Sequence, residues 1–196
     1  MLFNMVLPGA VAAEEPFAFE YSGNFTDNRD ADGKGTVRLN TSGTLTVLSG
    51  KATVSVYILA GGGGAAFSVE TAQGKKGVCA TGGSGGYQTV EVELAPGTYE
   101  IVIGIGGESS YDWDFTAGED GGNTTAFGYT STGGRAGEAD YWTEVKAGAG
   151  GSPNGKAGAI KNGTNPTCAG GSPNGGGVVS GTVQPGGDGY VELTFI

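Results

Sequence analysis

Few residues of this chain could do chemistry, and they fall in three places. The stretch DNRDADGKG (27–35) spaces Asn28, Asp30 and Asp32 two apart ahead of Gly33. That is how a calcium loop of the helix–loop–helix type begins. The bidentate Glu required at its twelfth position is Leu39, which excludes that motif. A non-helical acidic loop for Ca2+ is then the one cofactor reading, and an acidic hairpin tip that only binds water fits the residues better. YDWDF (111–115) and DYW (140–142) set aromatic faces beside carboxylates. Tyr111, Asp112, Trp113, Asp114, Tyr141 and Trp142 therefore suit a sugar or a protein receptor. The competing reading is that Trp113 and Trp142 cover a glycine layer that has no side chains of its own.

Catalysis is poorly served. There is no His, so the commonest general base and metal ligand is missing. No nucleophile elbow follows a strand, and Glu91 and Glu93 share the outward phase of one strand instead of flanking a substrate. The expectation is a protein that is not an enzyme. Cys79 and Cys168, 89 residues apart, cannot make a thiolate zinc site alone. They could form one disulfide, which sequence does not decide. With 20 acidic against 10 basic residues, the net charge of −10 argues against nucleic acid as a partner. No apolar run is long enough to span a membrane as a helix.

Gly is 42 of 196 residues, while Leu, Ile, Val and Phe make up just under a fifth. On composition alone the chain reads as disordered. The apolar residues contradict that, because they gather in alternating runs. These are FAFEY (17–21), TVRL (36–39), TLTVL (44–48), ATVSVYILA (52–60), YQTVEVEL (87–94), TYEIVIGI (98–105) and YVELTFI (190–196). Val54, Val56 and Ile58 share a face. So do Val90, Val92 and Leu94, and Tyr99, Ile101, Ile103 and Ile105. The runs 87–94 and 98–105 read as a hairpin closed by Ala95-Pro96-Gly97-Thr98 in a type II turn. The single hint of helix is a turn in EADYWTEVK (138–146).

Residues 1–60 hold six glycines and residues 61–189 hold 36. The division predicts an N-terminal arm (1–16), a β region (17–60) and a glycine-rich β domain (61–196), with 17–196 one folded unit. The arm imitates a signal peptide but lacks a basic start. It reads as a mature arm whose Leu2, Phe3, Met5, Val6 and Leu7 dock on another chain.

AGGSPNG occurs twice, at 149–155 and 169–175. Backbones can pack side by side where no Cβ intervenes. A left-handed helix of three residues per turn has no internal hydrogen bonds, so packed glycine helices could bond one another. The two copies would then be equivalent corners. Gly150, Gly151, Gly170 and Gly171 enter close packing, and Asn154 and Asn174 reverse the chain at φ > 0. A duplicated flexible turn is the plainer alternative. The fold class expected is all-β: antiparallel sandwich-like strands with glycine-rich loops or packed polyglycine-type helices, and no substantial α-helix.

The order TVSVYILAGGGGAA, YQTVEVELAPGTYEIVIGIGG, DGGNTTAFG, TGGRAG and GGDGYVEL, over roughly residues 40–196, resembles the glycine-rich domain of phage and prophage tail proteins and some bacterial surface proteins. In style it is similar to the polyglycine-helix adhesins of phage tail fibres. The resemblance implies a structural or receptor-binding virion part whose partners are copies of itself, other virion proteins and a host surface glycan or protein. A secreted bacterial adhesin or filament subunit is the alternative. The sequence departs from the family in its sparser glycine runs and in the insertion GESSYDWDFTAGED (107–120).

Overall fold

The computed structural model describes residues 15–70, 76–111, 117–139, 145–162, 167–168, 170–171, 174–179 and 182–196. Among them every regular element is a strand. In chain order these are β1 (Ala18–Tyr21), β2 (Phe25–Arg29), β3 (Gly35–Leu39), β4 (Gly43–Ser49), β5 (Ala52–Leu59), β6 (Ala66–Glu70), β7 (Lys76–Ala80), β8 (Tyr87–Leu94) and β9 (Gly97–Val102). The later ones are shorter: β10 (Ser110–Tyr111), β11 (Thr124–Ala126), β12 (Tyr129–Ser131), β13 (Ile160–Asn162), β14 (Val178–Val179) and β15 (Thr182–Val183). β16 (Tyr190–Phe195) closes the chain.

Two five-stranded sheets, β1-β4-β9-β11-β12 and β2-β3-β16-β5-β8, make the base of the molecule. Alternation supplies their core. Leu45 and Val47 from the first sheet meet Val37, Leu39, Val54, Val56, Ile58, Val191 and Leu193 from the second, all buried. Burying a side chain of this size stabilises by about 1.5–3 kcal/mol.

Two expectations are corrected. Residues 87–94 and 98–105 do not form a hairpin: β8 pairs with β5 in one sheet, and β9 with β4 and β11 in the other. Each alternating run finds a better partner across the core, so Ala95–Gly97 is a corner between sheets. Gly97 has φ 156°, far from the value near +80° that a type II turn needs. Instead the Tyr99 hydroxyl donates to the Ala95 carbonyl (3.0 Å) and accepts the Ala95 N–H (3.2 Å), pinning the corner. Ile105 also leaves the phase. Its strand stops at Val102, and Ile105 is 74% exposed. Among the described strands, pairing is antiparallel except between β10 and β6, which run parallel.

Beyond the base the chain becomes a glycine bundle. Its hub is Ala60–Ala65. The amides of residues 60, 61 and 62 donate to the carbonyls of Gly86, Gly122 and Gly187, and those of 63, 64 and 65 to Gly83, Glu119 and Gln184. The direction repeats every third residue while each partner steps back by three. That is a three-residue-per-turn helix bonded to three antiparallel neighbours. Its carbonyls serve three further segments, accepting from Gly134 and Gly137, from Gly107 and Ser110, and from Gly176 and the Asn174 amide. A second hub, Thr81–Gly86, repeats the scheme, donating to Ala159, Gly176, Arg135 and Lys156 in turn. Buried backbone groups are thereby paired without a sheet. Close approach is what requires glycine here. A Cβ built on Gly62, Gly63 or Gly83 would fall on the carbonyl of Asn174, Arg135 or Ala149, well inside the 3.0 Å that real Cβ atoms respect.

An array of this kind buries almost no apolar surface and pays the full entropy of glycine. It is anchored at both ends. The sandwich core holds the base. At the far end, the apex, a four-stranded sheet (β10-β6-β7-β13) carries two small apolar clusters, around Phe67, Cys79, Cys168 and Val178 and around Ala66, Ala80 and Ala139.

Candidate functional site

The hub leaves β5 at the base and runs into β6 at the apex, and both insertions issue from the apex. The insertion with YDWDF leaves through β10, where Ser110 and Tyr111 pair with Ala66 and Phe67. It returns at Gly118, whose N–H donates to the Gly137 carbonyl (3.2 Å), and at Glu119, which bonds Gly64 and Glu108. The DYW insertion starts and ends on a β-bridge between Glu138 and Lys146. Its ends are therefore strand-like, not helical. Asp112, Trp113, Asp114, Tyr141 and Trp142 lie outside the described residues, as does the side chain of Tyr111. The fold brings the roots of both insertions together on neighbouring segments.

Between those roots lies an open cleft lined by Glu119, Asp120, Arg135, Glu138 and Lys146. None of these was a sequence candidate. The carboxylate of Asp120 pairs with the Arg135 guanidinium and accepts the Ala136 N–H at 2.8 Å. Lys146 stands 3.9 Å from Glu138. Exposed pairs like these contribute about 0–1 kcal/mol, so they shape the rim more than they stabilise it. The legible signal was charge set between Gly pairs in GEDGG and GGRAG.

The acidic stretch is a hairpin tip at the opposite end of the molecule. Asn28 lies in β2 opposite Thr36. One oxygen of Asp30 accepts the N–H groups of Asp32 and Lys34, both at 2.9 Å. Gly33, at φ 78°, completes the reversal. Asp27 is bound by the Arg29 guanidinium at 2.7 Å, and that hydrogen bond holds its carboxyl below the ordinary range. Among the described residues no three His, Cys, Asp or Glu side chains come together as a metal site.

Both repeated turns sit against the second hub. Gly151 donates to the Ser84 carbonyl and Gly171 to that of Gly82, two residues apart on the second hub. Gly155 closes on Gly151 and Gly175 on Gly171. Asn154 sits at φ 63°, and its amide donates to the Tyr87 carbonyl (2.9 Å). Asn174 does more: its amide donates to Ala60 (2.6 Å) and Gly187 (3.1 Å), and its oxygen accepts the Gly85 N–H (2.9 Å). A Cβ on Gly150, Gly151, Gly170 or Gly171 would strike main-chain atoms. A flexible linker would leave that space open.

Cys79 and Cys168 are joined in a disulfide. It ties the last glycine stretch to β7 at the apex, across a separation that sequence could not judge.

The arm residues Leu2, Phe3, Met5, Val6 and Leu7 lie outside the described residues. The point where the chain emerges is defined. The Pro16 carbonyl accepts from Ser49 Oγ (2.8 Å), and Phe17 packs on Phe195 (5.5 Å between ring centroids). Both contacts are at the free end of the base, beside the C-terminus and far from the cleft.

No helix among the described residues is long and apolar enough to cross a membrane. No curated protein matches the chain. A family model described as a glycine-rich domain matches residues 36–195. That span begins with β3 and ends with β16, taking in both hubs, both repeats and most of the base, and the chain belongs to this glycine-rich domain family.

Proposed function

We propose that the protein is a non-enzymatic structural part of a phage or phage-like particle, placed near the tail or a fibre tip. In this reading its apex faces a host receptor and its arm end faces other virion proteins. The observation that carries the reading is the polarity of the molecule. Two aromatic-acidic insertions root together at the apex, and the arm leaves from the opposite end. The bundle between them is bonded through its main chain, so insertions of free sequence are presented on a rigid support. The cleft of Glu119, Asp120, Arg135, Glu138 and Lys146 adds polar contacts at the receptor end.

Deleting residues 2–13 tests the assembly half. The expected result is a folded monomer that no longer enters particles. Normal incorporation of the deleted protein would overturn it. Removing 112–116 or 140–144 tests the receptor half. Particles should assemble but fail to adsorb, and unchanged adsorption of both deletions would refute it.

A secreted bacterial adhesin or filament subunit is a second reading, and the disulfide favours it, because such bonds persist in oxidising compartments. Sequencing the mature N-terminus of native protein separates the two. A start after the A-V-A-A stretch supports secretion, and an intact Met1 supports the virion.

A further inference from the structure

Three tyrosines from three adjacent strands meet on the solvent side of the second sheet. Tyr87 of β8 and Tyr190 of β16 both stand opposite Leu59 in register, which puts them on the same face as Tyr57 of β5. The Tyr57 ring centroid is 6.0 Å from that of Tyr87 and 5.6 Å from that of Tyr190. The Arg38 guanidinium, from β3, lies 3.6 Å over the Tyr190 ring. Glu192 is in register with both Tyr57 and Arg38. All three tyrosines are half-buried. Strand alternation surrounds them with Thr36, Ser55, Thr89 and Thr194.

We propose that this face is a second binding site and that its ligand is a neutral oligosaccharide. A pyranose ring is apolar on its C–H face and polar around its rim. Tyrosine rings present flat, electron-rich faces that attract weakly positive C–H groups. Arg38 covers Tyr190, and the Tyr57 and Tyr87 rings follow it in a row. The rim of a sugar would meet phenolic hydroxyls, the Glu192 carboxylate and the flanking threonines. Burial, followed by the nearby Tyr190, Tyr87 and Glu192, pushes the Tyr57 phenol up, so it keeps its proton to donate.

The charge around the site selects against other occupants. Glu91, Glu93 and Glu192 share this face with Arg38, on a chain of net charge −10, which disfavours an anionic glycan. A second copy would bring the same acidic rim against itself. A stable protein interface clears about 1,000 Å², with a core depleted of charge. Here the aromatic island is small, it is ringed by hydroxyls, and it has an Arg and a Glu within it.

The site lies on the flank of the base, away from the apex, and stands independently of the particle reading. Its test uses the full chain, titrated with maltohexaose, cellohexaose and a mannose hexasaccharide, with a heparin-derived hexasaccharide as the anionic control. Binding is read by calorimetry and by the tyrosine ring signals in NMR. The expected result is a Kd of about 0.1–1 mM for one or more neutral sugars, with shifts centred on Tyr57 and Tyr87. Tyr57→Ala should weaken it at least tenfold and Tyr57→Phe only slightly, with all three proteins melting together. If Tyr57→Ala lowers the melting temperature, the ring shifts of the unaltered chain still locate the ligand. The proposal is overturned if no neutral hexasaccharide moves those signals at about 10 mM. Binding that survives both Tyr57→Ala and Tyr87→Ala, binding of the heparin fragment alone, or a host protein that needs Tyr57 while no glycan binds would each overturn it as well.

Discussion

Replacing Gly63 with Ala tests the glycine bundle directly. The new Cβ would fall on the Arg135 carbonyl. That carbonyl cannot simply move aside, because it accepts the Gly83 N–H (2.9 Å) and the Arg135 N–H is itself bonded to Ala149 (2.8 Å). Relief means separating two segments and losing one or two buried hydrogen bonds, at about 1–3 kcal/mol each when a group is left unpaired. Against this, Ala lowers the entropy of the unfolded chain by about 0.4–1 kcal/mol equivalent. The net cost is about 3 kcal/mol. A chain of this length loses about 2–4 °C of Tm per kcal/mol, so scanning calorimetry should read a fall of about 6–12 °C. Gly33→Ala is the control. Gly33 has φ 78° with nothing within 4 Å of its added Cβ, so only backbone strain of about 1–2 kcal/mol applies. The repeats provide a second control: Gly150→Ala and Gly170→Ala should resemble each other, as should Gly151→Ala and Gly171→Ala. Bundle variants that melt within a degree of the unaltered protein, or a Gly33→Ala variant that loses as much as Gly63→Ala, would refute the reasoning.

Other consequences are equally open to measurement. Asn174→Ala strands the Ala60 carbonyl and the Gly85 N–H, and chemical denaturation should show a loss of about 2–4 kcal/mol. Asn154→Gly should be tolerated and Asn154→Val should not, because residue 154 sits at φ 63°. Reducing the Cys79–Cys168 bond frees a separation of 89 residues; the melting temperature should fall, by up to about 4 kcal/mol equivalent, and Cys168→Ser should show the same fall without reductant. Burial pushes the Tyr21 phenol up to about 12, and its hydroxyl donates to the Thr41 carbonyl. The folded state thus holds a proton that the unfolded chain releases near pH 10, and stability should decline as pH rises from 10 to 12. Tyr21→Phe should flatten that decline. Asp30→Ala should cost about 1 kcal/mol through loss of its two backbone hydrogen bonds. If the tip binds no calcium, chelation will leave the melting temperature of the unaltered protein where it was.

Period-two alternation survives into any β packing, and for that reason the strands that line the core were legible. Val54, Val56 and Ile58, and later Val191 and Leu193, have a phase that holds whichever strand lies beside them. The same locality explains the failures. FTDNR and KGVCA, which became β2 and β7, are too polar or too short to show a period, and AFSVE, which became β6, alternates over too few residues to stand out; all three are strands because a neighbour supplies their ladder. Residues 87–94 and 98–105 were each recognised, yet their pairing was not, since nothing local decides between a hairpin and a corner linking two sheets. Clustered glycine announced close packing without saying with what. The hub at 60–65 draws its six neighbours from segments between residues 81 and 189, and the Gly62 and Ala65 amides bond carbonyls more than a hundred residues away. The disulfide, the apex cleft and the row of tyrosines have the same origin. Sequence by itself determined which residues want to be buried and which must lack a side chain, because those are properties of single residues and their spacing. Only the tertiary structure decided which of them meet, because that depends on the three-dimensional return of the chain and no local interaction encodes it.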